Sequence, residues 1–282
     1  MLQNIPWRRL TLTGRMFGAE HGALTYGFLL QCFCCMVVDI VGWMVATFSS
    51  YKLAVWLLLT PAERGFYCND QSIREELMPD TISTMRLIAV TLGSPFFIIF
   101  FSDLSRRTRP RRRQLARVIT RATCTYLNYC IGFWVMTLTL DALKCFVGRI
   151  RPNFLAMCKP REVDEVCAVS PNAFVPIAHC TGGWKSSRNS KMSFPSGHAA
   201  ASVFCTLFLI FYLRGLQIRF PIFFLKSVYL LVSAAFVVFS VICCKSRVND
   251  CWHFQSDVLG GLLLGSLLYY ILLHKFATNQ HT

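Results

Sequence analysis

Pro221-Ile-Phe-Phe-Leu-Lys-Ser-Val-Tyr-Leu-Leu-Val-Ser-Ala-Ala-Phe-Val-Val-Phe-Ser-Val-Ile-Cys243 carries a single charge, Lys226. As a helix it is long enough to cross the roughly 30 Å hydrocarbon core of a bilayer. Five more apolar runs flank it: Leu29 to Phe48 (broken only by Asp39), Ser83 to Phe101, Thr123 to Leu143, Ala199 to Leu213 and Val258 to Leu273. Ala199 to Leu213 is short and needs residues before it to complete a crossing. Leu53 to Leu59 is too short to cross alone, so it either lies at the interface or extends a tilted first helix. The expected fold is all-α and polytopic, with six transmembrane helices. A chain of 282 residues that is 54% hydrophobic and 15% charged fits this class and not an ordinary soluble domain. The net charge of +15 would suit a nucleic-acid binder, but such a protein would not carry these runs.

The basic residues give the chain a direction. Ser105 to Arg121 holds eight arginines, Arg106, Arg107, Arg109, Arg111, Arg112, Arg113, Arg117 and Arg121, which marks that loop as cytoplasmic. Arg8, Arg9 and Arg15 put the N-terminus on the same side, Arg214, Arg219 and Lys226 the loop between spans four and five, and Lys275 the tail. These assignments agree with an even number of spans. Met1 to Glu20 has no apolar core followed by a small-residue cleavage site, so the first span is expected to act as its own insertion signal. The non-cytosolic side then receives Tyr51 to Thr81, Lys144 to Gly197 and Cys244 to Asp257.

Three motifs fall on that side. Lys144-Cys-Phe-Val-Gly148-Arg149-Ile-Arg151-Pro152 places three cations opposite the positive-inside loops. Snorkelling to the interface accounts for one or two of them, but the cluster calls for an anion. Arginine suits phosphate through its planar fork. Phe194-Pro195-Ser196-Gly197-His198 stands before a helix start, where free backbone N–H groups, the Ser196 hydroxyl and a proton-carrying imidazole meet. Ser246-Arg247-Val-Asn-Asp250-Cys-Trp-His253-Phe-Gln-Ser-Asp257 adds another cation and a histidine. Four residues separate His253 from Asp257, so on a helix they share one face and the carboxylate orients the ring. Each motif alone has a bland reading: an orientation signal, a structural histidine, a helix cap. Together they supply cations for phosphate oxygens, a nucleophile and a proton donor, the inventory for phosphoryl transfer. No carboxylate cluster suggests a metal pair, so no metal or other cofactor is expected.

These segments resemble the signature motifs of the type 2 phosphatidate phosphatase superfamily, Lys-x6-Arg-Pro, Pro-Ser-Gly-His and Ser-Arg-x5-His-x3-Asp. The chain is most similar to its lipid phosphate phosphatase (lipid phosphate phosphohydrolase) branch, through Arg64-Gly-Phe-Tyr-Cys68-Asn69-Asp70 with Ser72-Ile73, Gly148 to Leu155 with Cys158, and Ser246 to Asp250 with Ser256 to Leu259. The resemblance implies metal-independent hydrolysis of phosphatidate, lysophosphatidate, sphingosine 1-phosphate or ceramide 1-phosphate through a phosphohistidine. By that resemblance His253 is the nucleophile, Asp257 orients it and His198 protonates the leaving group. Lys144, Arg151 and Arg247 hold the phosphate, assisted by Ser196 and the Gly197 N–H. The implied layout is a cytoplasmic segment 1–28, a six-span phosphatase domain 29–274 with its active site at the non-cytosolic end of the bundle, and a cytoplasmic tail 275–282.

The implied partners are a lipid phosphate and the bilayer, with no nucleic acid; homo-oligomers are frequent in the family, and the state here is open. The expected location is the plasma membrane with an extracellular site, or the endoplasmic reticulum or another organelle with a luminal one. A phosphatase for a soluble ester, a lipid phosphotransferase and a non-catalytic lipid-binding protein are the alternatives. Cys32, Cys34, Cys35, Cys124, Cys130, Cys205, Cys243 and Cys244 sit in or beside apolar runs as small hydrophobes. Of the loop cysteines, Cys158, Cys167 and Cys180 are expected to bridge among themselves or to Cys68, with the connectivity open.

Overall fold

The computed structural model describes residues 42–43, 45–47, 49–51, 53–54, 59–104, 112–219 and 223–274. The segment 1–28, three quarters of the expected first span Leu29 to Phe48, most of Leu53 to Leu59, Arg106, Arg107, Arg109 and Arg111 of the basic loop, and the tail 275–282 lie outside the described residues. The chain divides into two compact units, residues 1–54 and 55–282. In the first, the described residues are helical, and the Thr47 hydroxyl donates to the Trp43 carbonyl one turn back at 2.8 Å.

Among its described residues, the second unit contains five helices long and apolar enough to cross a membrane. They are α1 (Thr84–Leu104), α2 (Arg112–Val147), α5 (Gly197–Arg219), α6 (Phe223–Asn249) and α7 (Gln255–Tyr269), the last continued by a wider turn, Tyr270–His274. Two short helices, α3 (Phe154–Cys158) and α4 (Trp184–Ser190), interrupt the long connection between α2 and α5. The protein is thus a mostly helical, integral membrane protein. Each helix overruns the apolar segment that signals it. Helix α2 starts within the arginine run, and α6 continues past Cys243 to Asn249, carrying Arg247 in its last turn.

Helix α5 is the axis of the bundle and the most buried of the five. It packs most extensively on α6 and α7, and also touches α1 and α2. Phe204, Phe208, Leu209, Tyr212 and Leu216 along it are fully enclosed. Its contact with α7 depends on Gly261 and Gly265, one helical turn apart. A side chain at Gly261 would run into the Ser196 carbonyl, and one at Gly265 into the Ala200 carbonyl. Small residues at such positions let two backbones approach closely where no hydrophobic effect drives helices together. The outward faces of α1, α6 and α7 present Phe97, Phe101, Leu230, Leu231, Val238, Leu259 and Leu263, as expected of surface that meets lipid.

The connections at one end of the bundle form a small cap. Strand β1 (Phe66–Tyr67) pairs antiparallel with β2 (Phe174–Val175), with Phe66 opposite Val175 and Tyr67 opposite Phe174. Phe66, Ile73, Phe154, Val175 and Ala178 form its core. Disulfides Cys68–Cys167 and Cys158–Cys180 tie it together, so all four of the cysteines expected to bridge do so. A core this small gains from such staples. The cap in turn holds the segment 148–153 in place at the end of α2.

Candidate active site

Three pieces of chain meet beneath the cap: residues 144–153, residues 189–198 and residues 246–257. Lys144 occupies the last turn of α2. Its ammonium lies against the first turn of α5, because a Cβ at Gly197 would be 3.5 Å from Lys144 Nζ and 3.2 Å from Leu140. Glycine at the head of α5 therefore leaves the opening helix turn and the lysine mutually accessible. Ser196, the residue before, is fully buried, and its Oγ has no hydrogen-bond partner among the described residues. An unpaired buried hydroxyl costs stability unless something else meets it, and this one sits beside an ammonium and a helix N-terminus, where an anion fits.

The third motif straddles two helices. Arg247 ends α6, residues 250–253 turn, and Asp257 falls in the first turn of α7. His253 precedes α7, so the expected shared helix face is corrected to a turn packed on a helix start. The backbone N–H groups of Trp252 and His253 both donate to the Arg247 carbonyl at 3.1 Å, which folds the turn back. His253 and Asp257 nonetheless meet, Nδ1 to Oδ2 at 3.8 Å. Ser193 closes the gap: its hydroxyl donates to Asp257 Oδ2 at 2.6 Å and lies 3.5 Å from His253 Nδ1. With the hydroxyl hydrogen committed to the carboxylate, the Ser193 oxygen is free to accept from Nδ1–H. That leaves Nε2 of His253 as the basic ring nitrogen.

Asp257 is held on every side. Arg149 donates to Oδ1 at 2.6 Å, and the Phe254 backbone N–H donates to Oδ2 at 2.9 Å. Arg149 also donates to Ser256 Oγ at 2.8 Å and lies over the Phe254 ring at 4.5 Å. Arg149 therefore faces the orienting carboxylate, whereas its place in the first motif reads as part of the anion cluster.

Arg151 is buried, and four hydrogen bonds engage its guanidinium. Nε donates to the Asn189 carbonyl at 2.7 Å, one terminal nitrogen to Asn189 Oδ1 and the Met192 carbonyl at 2.9 and 3.3 Å, and the other to the Trp252 carbonyl at 3.2 Å. It thus joins all three pieces of the site. Burial, and then the positive charges of Arg151 and Lys144, hold His253 well below the ordinary imidazole range, against the pull of Asp257. The ring is therefore neutral near pH 7, the form a nucleophile needs.

Arg247 is also buried. Its Nε donates to Ser246 Oγ at 3.2 Å, NH1 to Asp80 Oδ1 at 2.7 Å and NH2 to Asp250 Oδ2 at 3.0 Å. These bonds use three of its five hydrogens, one on each nitrogen, leaving one on each terminal nitrogen for an anion. His198, in the first turn of α5, directs Nε2 to the Ile82 carbonyl at 3.1 Å. A carbonyl only accepts, so Nε2 carries the hydrogen.

The structure therefore brings together Lys144, Arg151, Ser196, Gly197, His198, Arg247, His253 and Asp257. It adds Ser193, Asp80, Thr81 and Asp250, which motif reading did not single out as site residues. Asp80 and Thr81 lie about 170 residues from their partners, Arg247 at the end of α6 and Asp250 in the turn after it, and no local pattern announces such a pairing.

The PAP2 superfamily profile matches residues 122–281, more than half of the chain. Among curated proteins, phospholipid phosphatase 2 of Mus musculus is 31% identical over 242 residues, 83% of this chain and 82% of its own length. Phospholipid phosphatase 2 of Bos taurus is 31% identical over 250 residues, 86% of this chain and 79% of its own. Phospholipid phosphatase 1 of Rattus norvegicus is 30% identical over 219 residues, 74% and 73% of the two chains. No solved structure matches the chain.

Proposed function

The chain belongs to the PAP2 superfamily, and from that premise we propose that it is a membrane lipid phosphate phosphatase acting through a phosphohistidine. It is a hydrolase of the phosphatidate phosphatase type. The substrate is a lipid phosphate monoester of the phosphatidate, lysophosphatidate, sphingosine 1-phosphate or ceramide 1-phosphate class. Lys144, Arg151 and Arg247 neutralise the phosphate oxygens, with the Ser196 hydroxyl and the Gly197 N–H as further donors. His253 Nε2 attacks phosphorus. The N–P bond forms as the ester P–O bond breaks, and the proton on His198 Nε2 passes to the departing alkoxide. For this step the His198 ring carries a proton on both nitrogens, a state that a phosphate dianion beside it favours. Once the alcohol leaves, neutral His198 takes a proton from water, the hydroxide attacks phosphorus, and the N–P bond breaks to return His253. The cations supply the charge neutralisation that a metal ion would otherwise provide, so turnover is expected to need no metal.

The observation that carries this reading is the state of His253: buried, held neutral by burial and neighbouring cations, and fixed at Nδ1 by Ser193 and Asp257. The two disulfides of the cap support a site in an oxidising compartment, at the non-cytosolic end of a six-span bundle. The plasma membrane is the favoured location, with an organelle lumen as the alternative.

The test is phosphate release from lysophosphatidate micelles by purified protein in excess EDTA, with His253→Ala alongside. Release by the wild type alone is expected. Loss of wild-type activity in EDTA, restored by a divalent ion, would overturn metal independence, and equal release by the variant would remove His253 from the chemistry.

A further inference from the structure

The segment before α1 runs against the site residues and is anchored to them at several points. The Glu75 N–H donates to the Pro152 carbonyl at 3.0 Å, and Trp252 Nε1 to the Met78 carbonyl at 3.2 Å. Thr81 donates to both oxygens of Asp250, from its N–H and its hydroxyl, each at 2.8 Å. The Thr81 carbonyl accepts from Arg86 at 3.3 Å, and the Ile82 carbonyl meets His198 Nε2. Asp80 is held between these anchors. Its Oδ1 accepts from Arg247, while Oδ2 accepts no hydrogen bond among the described residues. The Asp80 side chain is 32% exposed against 2% for Arg247, so the carboxylate reaches solvent from beside a buried cation.

One Asp80 oxygen pairs with Arg247, but the other works against a dianionic substrate unless it meets a donor on that substrate. Resting on the phosphatase reading, the ester oxygen that leaves must lie near His198 Nε2, whose present partner, Ile82, is two residues from Asp80. We propose that Asp80 is a specificity-determining residue that accepts a hydrogen bond from a donor carried close to the phosphoester, a free hydroxyl or an ammonium group. Lipid phosphates with such a donor, of the lysophosphatidate or long-chain-base phosphate type, are preferred over diacyl lipids that offer only ester acceptors at that place. A hydrogen bond to a charged acceptor discriminates by roughly tenfold or more.

The experiment compares kcat/KM within two matched pairs in mixed micelles. One pair is lysophosphatidate and an analogue lacking its free hydroxyl, and the other is a long-chain-base phosphate and an analogue lacking its amine. Wild type is expected to favour the donor-bearing member of at least one pair by about tenfold, and the pair affected tells hydroxyl from ammonium. Asp80→Asn is expected to bring that ratio towards one. A merely structural role for Asp80 would lower both members equally and leave the ratio unchanged, which would overturn the proposal. Equal turnover of both members of each pair by wild type would overturn it without any variant. Wild type that hydrolyses none of the four would instead remove the phosphatase reading and this proposal with it.

Discussion

Arg151 shows how one side chain joins structure to chemistry. Its fork binds the Asn189, Met192 and Trp252 backbone and the Asn189 amide, and its charge lowers the proton affinity of His253. Because the folded pKa of His253 lies below the unfolded one, the unfolded chain binds the extra proton first as pH falls. The stability tied to this ring is therefore complete above about pH 6.5 and declines as pH falls below it. Arg151→Gln removes the positive charge, so the His253 pKa rises and the acid limb of kcat/KM is expected to move to higher pH. A pH–rate profile from about pH 4 to 8 checks this, and an unmoved limb would mean another group controls it. The motif residues were legible because phosphoryl transfer demands recognisable chemistry at fixed spacing. Ser193 was not: a serine three residues before Ser196 signals nothing until folding sets it between Nδ1 of His253 and Asp257.

The helices were legible where they are apolar and illegible at their ends. Hydropathy ends the fifth span at Cys243, yet α6 continues to Asn249. Within the extension Ser246 and Arg247 are buried, and Asp80 reaches in from another segment to pair with Arg247. For the same reason His253 and Asp257 read as one helix face, although the turn at 250–253 separates them. Helix contacts leave a clearer trace in composition, through glycines at a four-residue interval on α7. Gly261→Leu would drive a side chain into the Ser196 carbonyl and push α7 off α5. Because Ser196 N–H also donates to the Asp257 carbonyl at 2.9 Å, that change is expected to disturb the site as well as the bundle. Thermal unfolding in detergent should show a lowered midpoint of several degrees, in line with about 1–3 kcal/mol of overpacking, together with loss of turnover. An unchanged midpoint would mean that the two helices are not closely packed there.

At the scale of the whole molecule, the membrane class followed from hydropathy alone. The division of labour did not. The buried axis α5 and its neighbours α6 and α7 fix the histidines and one arginine, α2 brings the lysine, and a small disulfide-bonded cap aims Arg149 and Arg151 downward from outside the bundle. A rigid set of helix ends can hold charges to the tolerance phosphoryl transfer needs.

The central claim is that phosphorus passes through His253, and a quench experiment addresses it most directly. Enzyme mixed with lysophosphatidate carrying radiolabelled phosphate is stopped in alkali, where phosphohistidine survives, then digested and mapped. Label on the peptide containing His253, lost on brief acid treatment and absent from His253→Ala, is the result expected here. Label on another residue, or full turnover by His253→Ala, would contradict it.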